Sequence, residues 1–141
     1  MDDQCLEAKL RSAIIGRRCT NVSHRATESW ELLFDDDTRV HIQCPWRIFA
    51  NGRIALGNCD HNQSFGGSES MDGQKEARRL LDGEVSDLSI REQTSDLVLV
   101  FSKGARLEIF HRSSGYEGWE CLTKGGLNVI ALGGGKITFF E

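Results

Sequence analysis

Two segments of the chain carry apolar residues at the spacing of an amphipathic helix, and each segment ends at a glycine. In the first, Leu6, Leu10 and Ile14 recur every four residues, and Gly16 follows them. Residues at this spacing lie on one face of a helix, and glycine often ends a helix because it adopts a left-handed backbone without strain. The pattern predicts a helix that packs one narrow face against the rest of the protein.

A second, shorter helix is predicted after Asp72, whose side chain can cap its first turn, as Asp2 or Asp3 can cap the first helix. Gly83 marks the end of this helix. Its apolar stripe consists of Ala77, Leu80 and Leu81. The remaining positions are mostly charged, so the helix is expected to lie at the surface.

Alternating apolar and polar residues, typical of half-buried strands, follow each helix. After the second helix, residues 84–92 form one strand pattern, and residues 96–101 and 105–110 form two more. Gly104 lies between the last two, where it can adopt the positive φ that a tight hairpin turn requires. This arrangement predicts an antiparallel hairpin.

A matching hairpin is predicted after the first helix, from residues 30–34 and 38–43. The turn between them consists of Asp35, Asp36 and Asp37. Asp37 occupies the position of Gly104, and aspartate tolerates the left-handed region better than most residues do. We interpret the acidic triplet as a turn, with contact to a basic partner or a metal ion as the alternative reason for its charge.

Further strands are predicted in the middle and at the end of the chain. Asn51 and Gly52 form the favoured turn of a third hairpin, and residues 63–73 form a glycine-rich connection. Residues 127–140 contain two short strands around a triple glycine. The total of two helices and about eight to ten strands predicts an α+β fold, with two helices packed on a mainly antiparallel sheet.

The two helix-plus-hairpin segments match each other when the sequence is shifted by 67 residues. The matched positions include Gly16 with Gly83, Leu32 with Leu99, Phe34 with Phe101, Arg39 with Arg106, and Ile42 with Ile109. We interpret the match as an internal duplication, residues 5–50 and 72–117, within a single domain of residues 1–141. Similar hairpins under the same physical demands are the alternative. A duplicated unit is expected to bury Phe34 and Phe101 in one shared interior.

Composition and charge argue against several classes of protein. The 141 residues, 39% of them hydrophobic, are enough for one core, and the net charge of −4 argues against nucleic-acid binding. No apolar run approaches the roughly 20 residues that cross a bilayer, and the acidic start of the chain is unlike a secretory signal. We expect a cytoplasmic protein that binds neither nucleic acid nor membrane.

The reactive residue types show no arrangement typical of a catalytic or metal site. Five cysteines are scattered without close pairing, so they are expected to be reduced thiols. Cys59, Asp60 and His61 are the tightest group of metal-ligand types, but neighbours in an extended segment point to opposite sides. We predict no metal, with binding at this group left open as an alternative. No GxSxG or HExxH signature is present, so we predict neither an enzyme nor a cofactor.

Two motifs, PWRI at residues 45–48 and YEGW at residues 116–119, resemble those of uncharacterised bacterial proteins that form a family of unknown function. The resemblance extends from about Ile15 to Gly135. It implies a β-rich cytosolic protein and carries no established activity. In size and setting the chain is also similar to immunity proteins that neutralise toxins. The resemblance further implies a recurrent polar and aromatic set: Trp46, Arg47, Asp60, Tyr116, Glu117 and Trp119.

The members of this set have two interpretations. Arg47 can be held by Asp60 and Glu117 in an ion-pair clamp, or it can stay partly free to bind an anionic ligand. Tyr116 and Trp119 can cover an edge of the core, or they can anchor a partner protein. The clamp and the core edge are favoured, because buried charges need partners and most large aromatic side chains pack inside.

These observations favour a non-enzymatic cytosolic domain that binds another protein. Acidic loops steer basic partners, so an immunity protein that neutralises a basic, nuclease-like toxin is one such function. A small module that binds an anionic ligand at Arg47 is the alternative. Edge strands also allow a homodimer.

Overall fold

A computed structural model describes residues 3–141, with side chains from Cys5 onward, so the predicted cap at Asp2 or Asp3 lies outside the described side chains. The described residues form helices α1 (Asp3–Ile14) and α2 (Gly73–Leu80). They also form β1 (Cys19–Ala26), β2 (Ser29–Phe34), β3 (Arg39–Ile42), β4 (Trp46–Ala50), β5 (Arg53–Gly57), β6 (Val85–Ile90), β7 (Leu97–Phe101), β8 (Arg106–Ile109), β9 (Trp119–Leu122), β10 (Asn128–Ala131) and β11 (Ile137–Phe140). Asp72 caps α2 as predicted, because its Oδ1 accepts hydrogen bonds from the backbone N–H groups of Gln74 and Lys75.

All strand pairs among the described residues are antiparallel, and these strands form two sheets that share one core. One sheet has six strands in the order β1-β2-β3-β9-β10-β11, and the other has five in the order β5-β4-β8-β7-β6. The predicted α+β fold with mainly antiparallel pairing is confirmed. The chain forms more strands than the pattern indicated, in part because β1 is a polar edge strand in which Val22 alone is fully buried.

The two sheets exchange strands along the chain. After β3 in the six-stranded sheet, the chain crosses to the other sheet as β4, which pairs with β8. After β8 the chain crosses back as β9, which pairs with β3. Trp46 at the start of β4 lies opposite Ile109, and Trp119 at the start of β9 lies opposite Ile42. Each sheet is therefore built from both halves of the chain.

Backbone features recur at the 67-residue shift found in the sequence. Positive φ values occur at Gly16 and Gly83 (92° and 84°), at Glu28 and Ser95 (59° and 58°), and at Asp37 and Gly104 (69° and 101°). The predicted equivalence of Asp37 and Gly104 in the two hairpin turns is confirmed. The duplication itself stays a prediction, which this correspondence supports.

Each helix packs on a strand from the other half of the chain, so the helices also connect the two halves. Helix α1 packs on β6, and α2 packs on β1. Arg11 of α1 forms an ion pair with Asp87 of β6, and Glu7 Oε2 accepts a hydrogen bond of 2.8 Å from the backbone N–H of Ile90. These contacts fix α1 at one edge of the five-stranded sheet.

The core contains the paired phenylalanines that the duplication predicts. Phe34 and Phe101 are each 1% exposed and belong to the same cluster of buried side chains. They lie at the ends of β2 and β7, directly before the two equivalent hairpin turns. The expectation of one shared interior is confirmed.

Candidate functional site

The connection between β8 and β9, residues 110–118, is named here the Tyr116 loop. The side chain of Tyr116 is 83% exposed. Beside it, Ser113 Oγ accepts hydrogen bonds from the backbone N–H groups of Gly115 (3.1 Å) and Tyr116 (2.8 Å). Such a side-chain turn holds the local backbone in one conformation. The loop therefore presents an exposed aromatic ring from an ordered backbone.

The loop is also bound to neighbouring strands. The backbone N–H of Gly118 donates to the carbonyl of Ala131 at 3.0 Å, and the carbonyl of Gly118 accepts from the N–H of Gln43 at 2.8 Å. Arg112 forms an ion pair with Glu28 in the turn between β1 and β2. These contacts connect the loop to three separate parts of the six-stranded sheet.

The triple glycine, residues 133–135, packs directly against this loop. The backbone N–H of Gly134 donates to the carbonyl of Ser113 at 2.9 Å. A Cβ atom on Gly133 would lie 2.3 Å from the backbone nitrogen of Gly115, so only glycine permits the close approach. The sequence indicated a turn here, and the structure adds a role in supporting the Tyr116 loop.

A cavity of about 240 Å³ lies beside the exposed tyrosine, and Cys44, His111 and Glu117 are among its lining residues. His111 Nε2 is buried and has no hydrogen-bond partner in the described part of the chain. Glu117 is exposed and makes no ion pair with any described residue. A polar side chain from a partner could enter this cavity beside Tyr116.

The two tryptophans of the predicted set lie in the core. Trp119 is 2% exposed, and its Nε1 donates a hydrogen bond of 2.8 Å to the carbonyl of Ser95. Trp46 is 4% exposed and packs edge-on against Trp30, with ring centroids 5.0 Å apart. The partner-anchor interpretation is therefore wrong for Trp119, and the core-edge interpretation is wrong for Tyr116.

The predicted ion-pair clamp of Arg47 with Asp60 and Glu117 is also wrong. Arg47 Nε donates to Glu108 Oε1 at 2.9 Å instead of pairing with Asp60 or Glu117. Asp60 Oδ2 accepts from the backbone N–H of Gly57 and so stabilises its own turn. The predicted set does not form one site, because Arg47 lies on a sheet face and Glu117 lies in the Tyr116 loop.

Glu108 is the charged residue that the sequence did not single out. It is 4% exposed and lies on the outer face of the five-stranded sheet, directly opposite Arg47. Its position in the alternating run Leu107-Glu108-Ile109 predicts that it points away from the core, which normally means toward water. Arginines from neighbouring segments cover it, and no local pattern reveals that contact.

The acidic turn is only partly available to a partner. Asp36 Oδ1 accepts a hydrogen bond of 3.0 Å from the backbone N–H of Thr38, and its other oxygen lies 3.8 Å from Arg17. Asp35 and Asp37 are exposed. The turn precedes β3, whereas the Tyr116 loop lies at the other end of that strand. The acidic turn and the Tyr116 loop therefore lie at opposite ends of β3.

The side chains around Cys59 each serve local structure. Asp60 binds its own turn, and His61 Nδ1 accepts a hydrogen bond of 2.9 Å from the backbone N–H of Gly73, at the start of α2. Within residues 3–141, no group of three or more such side chains is arranged to hold a metal ion.

Thiol reactivity should separate the cysteines into two classes. Burial raises the pKa of Cys19 to about 11 and the pKa of Cys44 and Cys121 to about 12. A raised pKa lowers the reactive thiolate fraction, so at pH 8 iodoacetamide should modify only the exposed Cys5 and Cys59. Intact mass is expected to show two adducts in native protein and five in urea. A third rapid adduct in the native protein would contradict the burial.

None of the described helices is both long and apolar enough to span a membrane.

Comparison with known proteins places the chain in a family. No curated protein and no solved structure matches the chain. The profile of one family, described as a family of unknown function (DUF6188), matches residues 10–141. That match covers nearly the whole chain, and the protein therefore belongs to this family.

Proposed function

We propose that this chain is a non-enzymatic domain that binds another protein through the Tyr116 loop. The observation that carries the proposal is the 83% exposure of Tyr116 on a loop held by hydrogen bonds on both sides. Fixing a side chain on binding costs conformational entropy, and this cost lowers affinity. The cost is small for a tyrosine on an ordered backbone, because few bonds in it still rotate freely. Tyrosine is also among the residue types that contribute most to protein interfaces.

The charge around the loop supports a basic partner. Glu117 follows Tyr116 and has no ion pair with the described residues, and the chain as a whole carries a net charge of −4. An acidic surface raises the association rate with a basic protein. In its finer form, the proposal is that the domain acts in the cytoplasm as an immunity protein and neutralises a basic, nuclease-like toxin.

The alternative of a small anionic ligand at Arg47 has less support. Arg47 Nε already donates a hydrogen bond to Glu108. Arg47 lies on a sheet face and does not line the cavity beside Tyr116. A small-molecule site normally encloses most of its ligand in a concave pocket.

Site-specific photo-cross-linking tests the proposal. A benzophenone amino acid replaces Tyr116 in the cells that naturally produce the protein, and the matched control carries it at Phe140, an aromatic residue that is 59% exposed. Irradiation should join one basic protein to position 116 and not to position 140. The Tyr116→Ala variant should weaken that complex by at least about 2 kcal/mol and change stability by less than about 0.5 kcal/mol.

Two results would count against the proposal. Equal products at both positions, or no product at position 116, would remove the Tyr116 loop as a binding surface. A captured partner whose activity the wild-type chain does not inhibit would leave protein binding intact and would overturn only the toxin-neutralising form.

A further inference from the structure

The outer face of the five-stranded sheet carries a cluster of arginines around one carboxylate. This arginine face consists of Arg47, Arg91, Arg106 and Glu108. Glu108 Oε1 accepts from Arg47 Nε at 2.9 Å, and Glu108 Oε2 lies 3.4 Å from Arg91 Nη2 and 3.8 Å from Arg106 Nε. The last distance exceeds a hydrogen bond, and Arg106 Nε has no other partner within the described chain.

Positive charge exceeds negative charge on this face. The other carboxylate in contact is Asp96, which lies 3.5 Å from Arg91 and also accepts a hydrogen bond from the backbone N–H of His111. Three guanidinium groups thus face two carboxylates. The arginine side chains are 42% exposed for Arg47 and Arg106 and 50% exposed for Arg91, although Glu108 beneath them is 4% exposed. The three arginine side chains are therefore partly open to solvent, although Arg106 Nε itself is buried without a partner among the described residues.

Aromatic rings hold two of these guanidinium groups in place. Arg47 lies over Phe110 at 4.9 Å, and Arg106 lies over Phe49 at 4.8 Å from the ring centroid. Ile54, which lies opposite Phe49 on the edge strand β5, is 56% exposed. Arginine and aromatic residues are enriched at protein interfaces, and a fixed guanidinium loses little freedom when it binds.

We propose that the arginine face docks an acidic segment of another protein, with its carboxylates on Arg47 and Arg106 and an apolar side chain on Ile54. The planar guanidinium fork matches a carboxylate in two parallel hydrogen bonds. A protein segment fits better than nucleic acid, because the chain has a net charge of −4 and repels a long phosphate backbone outside this local cluster. Arg47 packs on Phe110 at the first position of the Tyr116 loop, so the arginine face adjoins that loop. The inference uses neither Tyr116 nor Glu117, and it stands independently of the function proposed above.

Fluorescence anisotropy with a labelled peptide of glutamate and leucine tests the proposal. The double variant Arg47→Ala/Arg106→Ala should bind at least about tenfold more weakly than the wild type. The matched control is Arg25→Ala/Arg39→Ala, which removes two arginines that are 56% and 50% exposed and contact Glu31 on the other sheet. The control should bind the peptide like the wild type.

Two further variants keep the test valid if the double variant unfolds. Arg91→Gln changes a side chain in the connection after β6 and should also weaken binding. Glu108→Gln removes the resident carboxylate but keeps the side-chain shape, so it should strengthen binding several-fold. Thermal unfolding of each variant establishes that it is folded at the assay temperature.

Three outcomes would overturn the proposal. The first is no measurable peptide binding by the wild type. The second is an equal loss of binding in the control pair, which would indicate attraction to any arginine. The third is displacement of the peptide by an oligothymidylate at lower concentration than by unlabelled peptide, which would identify a nucleic-acid surface instead.

Discussion

Two fragments of the chain, residues 1–66 and 67–141, are expected to be unfolded when separate and to form the native fold when mixed. Each fragment contains strands of both sheets, so neither can complete a sheet alone. The cut lies in a connection whose residues 62–70 are exposed, so it removes no buried contact. Far-UV circular dichroism of each fragment and of the equimolar mixture measures the outcome.

Charge at the centre of each sheet explains why a fragment should not pair with its own copy. His41 of β3 lies opposite Glu120 of β9, with 3.7 Å between Nδ1 and Oε1, and Arg47 lies opposite Glu108. The second fragment alone leaves the edges of β8 and β9 without their native partners, and each of these strands carries a glutamate, Glu108 or Glu120. Pairing these edges between two copies would bring like charges together, and like charges directly opposite destabilise a sheet. Two copies of the first would deprive Arg47 of its carboxylate.

A charge-reversed fragment provides the matched control for this experiment. A second fragment that carries Glu108→Lys would face Arg47 with a like charge, so it should fail to restore the fold. A stable, folded second fragment in isolation would contradict the exchanged architecture, as would full recovery with the reversed charge.

Truncation of either paired phenylalanine to alanine is expected to remove a large part of the free energy of unfolding of this domain. Phe34→Ala and Phe101→Ala should each lower the free energy of unfolding by about 3–5 kcal/mol, because each leaves a cavity in the core. Phe140→Ala, at an exposed position, should lower it by less than about 1 kcal/mol. Urea denaturation monitored by tryptophan fluorescence measures all three.

The equivalence of the two positions makes the comparison sharper. Phe34 and Phe101 occupy matching places before matching turns, so their two losses should agree within about 1 kcal/mol. A loss below about 1 kcal/mol at either position would show that the ring is not packed in the core.

Local patterns predicted the parts of the fold that local physics determines. The positive φ values at Gly16 and Gly83 and the hairpin turns at Asp37 and Gly104 depend on backbone preferences of neighbouring residues. Helix α2 itself ends at Leu80, before the predicted position at Gly83. Burial of Phe34 and Phe101 follows from alternation within one strand. These features need no knowledge of distant partners.

Long-range pairing was not predictable from the same patterns. The crossing of β4 and β9 between sheets decides that Arg47 meets Glu108, and alternation alone shows only that both point outward. Tyr116 and Trp119 are close in sequence, yet the first lies in a loop and the second begins a strand opposite Ile42. Their different exposure follows from that pairing and not from residue type.

The exchange of β4 and β9 takes place inside one covalent chain, and this has a consequence for behaviour at low concentration. A dimer that exchanged the same strands would dissociate on dilution, since its stability depends on protein concentration. The connection between β5 and α2 instead keeps the two halves at an effective local concentration on the order of millimolar. The protein therefore keeps its interlocked sheets even when a cell contains only a few copies.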